Sequence, residues 1–250
     1  MLRLRRFFRP PAAAEPDRLD VDLGDRIVAV ALRRRDGARR MTLRVSAATG
    51  AVTLTLPPRA PLAGARTFLD AHGGWIAQRL SRLPERIPFR PGTILPLRGV
   101  PHRIVHETQG RGTTRVVPDE AGEPAIAVRG EESAIPGRVR RFLVAEAEAD
   151  LREAVTRHCA GLGVSSRRLT LRDTRSRWGS CSANGSLSFS WRLILAPPHV
   201  LDYLAAHEVA HLKEMNHSHR FWRIVHGLCP RTEEAEAWLD RHGTGLHRYG

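Results

Sequence analysis

His207, Glu208 and His211, in the run His207-Glu208-Val209-Ala210-His211, constrain this chain more tightly than any other feature. On an α-helix, residues four apart stand one above the other on one face, so both imidazoles can reach a single metal ion. Glu208, beside the first of them, can hold a metal-bound water and take its proton. Chance alone would give one H-E-x-x-H in a chain of this length and composition with a probability on the order of a few per cent, so the flanks decide. Pro197 and Pro198 sit where a helix begins, because proline's missing N–H has no partner in the first turn. Asp202 is placed in that first turn, where the macrodipole favours an anion. Val200, Leu201, Leu204, Ala205 and Leu212 recur at three-to-four spacing. The pattern predicts a buried helix carrying both histidines. The plainer alternative, two core histidines bonded to backbone, does not call for a glutamate between them.

A third ligand is needed. Met215 is next on the same face and is a poor zinc ligand. His217 lies six residues past His211, about 600° round a continuous helix and on the wrong side of it. It can ligate only if the helix stops first, and Asn216 is a plausible stop through the left-handed conformation. Ser218 then reads as the N-cap of a new helix carrying Phe221, Trp222, Val225 and Leu228. His219 is aimed away by the start of that helix. Glu233, Glu234 or Glu236 would complete a two-His-plus-Glu set, but acids also belong in the first turn of a last helix capped by Thr232. His217 is the favoured third ligand, and three protein ligands leave a position for water, as in catalytic sites.

The segment Thr174–Ser182 (Thr-Arg-Ser-Arg-Trp-Gly-Ser-Cys-Ser), then Trp191–Pro198, the His207–His211 run, Asn216–Ser218 and Phe221-Trp222 together resemble the YgjP-like metal-dependent hydrolases. These are zincin-like proteins related to the SprT and WLM metallopeptidases. The likeness runs from about residue 26 to 242 and is most specific in its C-terminal part. It implies one Zn²⁺ per chain on His207, His211 and His217, with Glu208 as general base. It also implies a peptidase-like activity, with pyrophosphatase action on UTP as the competing one.

The 250 residues carry a net charge of +14, which ordinarily points to nucleic acid or another polyanion. Lys213 is the single lysine, however, and near-exclusive arginine use together with abundant alanine reflects codon bias as readily as binding. Polyanion contact is expected to be non-specific at most. Cys159, Cys181 and Cys229 are odd in number and lack paired spacing, which argues against a disulfide framework or a cysteine zinc site. The start of the chain is basic without the apolar run of a signal peptide, and no stretch is long and apolar enough to span a bilayer. A cytoplasmic location is expected.

Residues 1–25 read as a flexible basic leader, 26–130 as a β-rich module and 131–250 as a zincin-like metal-dependent hydrolase domain. The fold class is therefore α+β, a β-rich N-terminal part followed by a helical catalytic half with a β-hairpin beside the metal helix. Alternating runs at 27–32, 41–45 and 51–56 predict a small antiparallel sheet. Residues 65–83 have helical spacing, weakened at Gly73-Gly74. More strand-like pieces precede a long helix over 139–162. Residues 169–171 and 187–191 read as two strands around an Asn184-Gly185 turn. No internal sequence repeat is visible.

Arg175, Arg177, Trp178 and Ser180 are candidate substrate-binding residues on the approach to that hairpin. An exposed strand there could pair with an extended peptide, or the arginines could clamp phosphate oxygens. Trp178 could equally belong to the core. Asp202 and Glu214 are candidates, by proximity, for the carboxylate that orients a metal-bound histidine. Three functions stand at this point. The first is a zinc metallopeptidase acting through a Glu208-activated water. The second is a metal-dependent nucleotide pyrophosphohydrolase, although no phosphate-cradling glycine loop is present. The third is a nucleic-acid-associated protein whose metal only holds the fold.

Overall fold

The computed structural model describes residues 16–46, 50–82, 85–109, 112–174 and 176–250. The chain divides into two compact units, residues 1–83 and 84–250, each with its own apolar core.

In the first unit β1 (Arg18–Asp22), β2 (Ile27–Arg34), β3 (Thr42–Val45) and β4 (Val52–Leu56) form a sheet in the order β1-β2-β4-β3. β1 lies within the stretch read as a leader and pairs with β2 from Arg18 to Asp22; residues 1–15 lie outside the described residues. The sheet is mixed rather than antiparallel, because β2 and β4 run parallel. Apolar β4 buries Val52, Leu54 and Leu56 and takes an inner position, and β3 is left at the edge. Alternation reveals which face of a strand is buried but not which strand is its neighbour. Two helices follow where one was expected: α1 (Leu62–Ala71) and α2 (Gly73–Ser81). His72 breaks the register with φ −110° and ψ 9°, just ahead of the two glycines that weaken helical continuity. Leu69 and Ile76 turn inward against Val30, Leu54 and Leu56.

The second unit opens with β5 (Ile94–Leu97), β6 (Val100–Glu107), β7 (Arg115–Pro118) and β8 (Pro124–Arg129). Their order β5-β6-β8-β7 repeats the pattern of the first sheet, parallel inner pair included. A topological repeat is therefore present without a visible repeat in sequence. This sheet packs on the long helix α3 (Ile135–Leu162), whose residues Ile135, Val139, Leu143, Ala147 and Leu151 are fully buried. Gly163, at φ 64°, ends α3 in the left-handed conformation that glycine adopts without strain. Leu95, Leu97, Ile104, Ile126 and Val128 share one core with the C-terminal helices. The expected boundary near residue 130 thus cuts through a single core, and the chain parts instead after α2.

The third sheet combines β9 (Arg168–Arg172), β10 (Gly179–Cys181) and β11 (Ser186–Ser190) in the order β10-β11-β9. The hairpin around Asn184-Gly185 exists, but its partners are β10 and β11. β9 runs parallel to β11 instead. Ser182 and Ser186 close a three-residue loop, with Gly185 at φ 78° supplying the left-handed position such loops require. A 3₁₀ turn over Trp191–Leu195 leads into α4 (Pro198–Ala210), followed by α5 (His219–Leu228) and α6 (Thr232–Leu246).

The start of α4 is braced from outside. The β5–β6 turn has positive φ at both Arg98 (51°) and Gly99 (78°), the geometry of a type I′ hairpin. The Arg98 amide donates to the Ile194 carbonyl at 2.7 Å, and its guanidinium grips Asp150 and Glu146 on α3. Gly99 sits so close to Pro197 that a Cβ would lie 3.1 Å from Pro197 Cγ. No helix among the described residues is long and apolar enough to cross a membrane.

Candidate metal centre

α4 is buried on almost every side, with Val200, Leu204, Ala205, Ala206, Val209 and Ala210 in the core. A helix sunk this deeply holds its polar side chains in place. His207 and His211 are four residues apart on one face, and their ring centroids are 5.1 Å apart.

The chain leaves α4 earlier than the sequence suggests. The helix ends at Ala210, and the amides of Leu212 and Lys213 fold back onto the Val209 and Ala210 carbonyls. Asn216 does not adopt the left-handed conformation; Arg98 is the one non-glycine with positive φ among the described residues. Asn216 shapes the turn through its side chain instead, with Oδ1 accepting the Ser218 amide at 3.2 Å. Ser218 caps α5, its hydroxyl accepting from the Phe221 amide.

This turn returns His217 to the other two histidines. One donor atom from each of His207, His211 and His217 can be chosen so that all lie within 4.8 Å of one another. His207 Nε2 and His217 Nε2 are 3.2 Å apart, and His211 Nδ1 is turned to the Glu214 carbonyl at 3.0 Å, which leaves its Nε2 for a cation. Buried Phe221 stacks on His211 with centroids 4.5 Å apart. Burial, reinforced by the neighbouring imidazoles, pushes His207 down to about 4, and burial lowers His211 as well. His207 is therefore neutral at pH 7, with a lone pair to give. Three converging imidazoles are a donor set that suits Zn²⁺ and its neighbours in the first transition row.

Glu208 is 4 % exposed. Burial raises its carboxyl to about 7, while the charge of Arg177 and the Cys181 backbone pull the other way. β10 passes directly over it. A Cβ on Gly179 would lie 2.7 Å from Glu208 Cγ and 2.8 Å from Cδ, so glycine is what lets the strand approach. Trp178 is packed against the core and stacks on His247, with centroids 4.9 Å apart. Arg177 is exposed and Ser180 half-buried, while Arg175 lies outside the described residues. Burial and the Glu208 charge push the Cys181 thiol up, away from a reactive thiolate.

The two carboxylates singled out by proximity do other work. Asp202 lies beyond the first turn of α4 and bonds His158 and Arg157 of α3. Glu214 meets His211 through its backbone carbonyl rather than its carboxylate. Arg231, not Thr232, precedes α6 as its cap, with Glu233 and Glu234 in the first turn. Glu236 is bonded to Tyr203 of α4, whose hydroxyl donates to Glu236 Oε1 at 2.7 Å and stands 3.4 Å from His207 Nδ1. Sequence reasoning missed Tyr203. Its only signal was its place four residues before His207, which an apolar helix position disguises. Burial first, then Glu236, pushes the phenol up and keeps it protonated.

A cavity of about 490 Å³ is lined by Trp178, Gly179, Tyr203, Leu204, His207, Glu208, Glu236, Leu239 and Asp240. Another, of about 330 Å³, is walled largely by hydroxyls and guanidiniums: Thr170, Arg172, Thr174, Arg177, Ser180, Ser182, Ser186 and Ser188.

Comparison with curated proteins gives no match. Among solved structures the chain is similar to the metallopeptidase zymogen of Pyrococcus abyssi abylysin, at 26% identity and a TM-score of 0.34, over 40% of this chain and 97% of that one. Residues 39–242 match the YgjP-like family, described as YgjP-like, metallopeptidase domain. The chain belongs to this YgjP-like metallopeptidase family and is a metal-dependent hydrolase.

Proposed function

We propose that the protein is a zinc peptidase in which His207, His211 and His217 hold one Zn²⁺ and Glu208 is the general base. The observation that carries this reading is Glu208 itself, a carboxyl only 4 % exposed beside three converging imidazoles. A structural metal has no use for such a group, whereas a general base must be held within reach of the proton it takes. The ion, when bound, acidifies a water and polarises a carbonyl. Glu208 accepts a hydrogen bond from the attacking water, takes its proton, and passes it to the departing amide nitrogen. Gly179–Cys181 is an edge strand whose outer backbone groups suit an extended peptide added as a further strand. Arg177, Trp178 and Ser180 then flank the bound chain.

Nucleotide hydrolysis has one observation in its favour, the cavity walled by hydroxyls together with Arg172 and Arg177, a lining that suits phosphate oxygens. Zinc-loaded protein given an unfolded polypeptide and UTP in parallel, with products read by mass spectrometry, separates the two. New peptide termini are expected; UMP and pyrophosphate without peptide cleavage would reverse the assignment.

Gly179→Ala probes the same reading. The added methyl must displace the Glu208 carboxylate, and a shift of about 1 Å can cost on the order of 10²-fold in rate. The variant should keep its zinc by elemental analysis and lose kcat; full activity would remove Glu208 from the reaction.

A further inference from the structure

A histidine holds a cation through Nε2 only when its remaining proton sits on Nδ1, and the hydrogen-bond partner of Nδ1 settles where that proton goes. For His211 the partner is the Glu214 carbonyl. For His207 it is a phenol. Tyr203 stands one helical turn earlier, its hydroxyl 3.4 Å from His207 Nδ1 and 2.7 Å from Glu236 Oε1 on α6. The hydroxyl donates to Glu236, so the phenolic proton is committed there. The lone pairs of the Tyr203 oxygen are what remains for His207, and Nδ1 must carry a proton to use them. Tyr203 is 4 % exposed, so bulk water competes little for that oxygen. Two other acids near the metal helix are engaged elsewhere, Asp202 with His158 and Arg157 and the Glu214 carboxylate at 3.9 Å from Arg220.

We propose that Tyr203 and Glu236 are positioning residues, the Glu236 carboxylate acting through the Tyr203 hydroxyl to hold His207 as its Nδ1–H tautomer and aim Nε2 at the metal. The relay also ties α6 to the metal helix, so the C-terminal helix contributes to the centre without supplying a ligand. The assignment rests on His207 being a ligand, and the test separates the two claims.

Wild type, Tyr203→Phe, Glu236→Gln, Glu236→Leu and the Tyr203→Phe/Glu236→Leu double variant are compared by two measurements. Long-range ¹H–¹⁵N spectra of the metal-free proteins report the His207 tautomer, assigned by the signals missing from His207→Asn. Wild type should show Nδ1–H, and Tyr203→Phe, which removes one oxygen and keeps the ring, should lose that preference. Zinc affinity is read by competition with a chromogenic chelator. Tyr203→Phe and Glu236→Leu should each bind about 10- to 100-fold more weakly. Glu236→Gln should stay within about threefold of wild type, because its amide oxygen still accepts the phenolic proton. The double variant should be no weaker than Tyr203→Phe alone, since groups in one network are not additive. If the pair merely staples two helices, the variants lower Tm and leave tautomer and affinity untouched, which overturns the proposal. If wild type binds no zinc, the ligand reading falls and the positioning role falls with it.

Discussion

Glu208→Gln is expected to lower kcat by about 10² to 10⁴, the range that a positioned acid–base group contributes, while zinc content stays at one per chain. The amide keeps the shape of the side chain and cannot take a proton. Peptide hydrolysis within tenfold of wild type would end the general-base assignment. The same variant carries a stability signature. The carboxyl ionises near 4.5 when unconstrained and, chiefly through burial, near 7 in the folded protein. Between those values the unfolded chain binds fewer protons than the folded one, so this group's contribution falls as pH rises. Glutamine has no proton to lose. Denaturant midpoints of the metal-free proteins at pH 5 and pH 8 should therefore show the variant gaining on wild type at the higher pH. An equal difference at both would mean that the carboxyl is not buried in solution.

Arg192→Met is expected to be the most damaging change away from the metal centre, costing about 3 kcal/mol because buried carbonyls lose their donor. Arg192 is 3 % exposed. Its Nε donates to Asp173 Oδ1 at 2.8 Å, and its Nη1 donates to the Leu246 and Tyr249 carbonyls. The guanidinium lies 4.6 Å from the centroid of the Trp191 ring. One side chain thus ties the end of β9 and the start of the 3₁₀ turn to the tail of α6. Methionine fills the volume but leaves a carboxylate and two carbonyls without that donor. Tm should fall by on the order of 10 °C, and a drop of a degree or two would mean that the network relaxes at little cost. Burial works to raise the Asp173 carboxyl, but Arg192, by hydrogen bond and charge, and Arg140, by charge, hold it below its ordinary value. Its stabilisation is present above the unfolded value of 3.8 and is lost as pH falls through the lower folded one. The gap between wild type and variant should narrow over that acid window.

The mixed α+β character was legible because its signals are local. Alternation marked β2, β3 and β4, and helical spacing marked α3. Gly73-Gly74 warned of a weak helix, though not that His72 would divide it in two. Strand neighbours were not legible. Leu169 and Leu171 alternate as hairpin strands do, yet β9 joins β11 in parallel while the three-residue β10 takes the hairpin position. A three-residue strand holding Gly179, Ser180 and Cys181 has almost no propensity of its own; its place on the sheet edge above Glu208 defines it. The division after α2 was hidden for a related reason. β5–β8 look like the strands before them, and only their packing on α3 shows which core they join.

What the sequence by itself determined is whatever a fixed helical period dictates. Residues 207 and 211 share a face, residue 217 needs a break in the helix to join them, and a glutamate lies next to the first histidine. Tertiary structure alone decided where the break falls, that Asp202 turns to His158 rather than to the histidines, and that Glu236 reaches toward His207 through Tyr203. The physical reason is range. Periodicity and capping act over a turn or two of one helix, whereas the partner of a buried polar group is whichever complementary group folding brings near it, here a residue thirty-three positions along the chain from Tyr203.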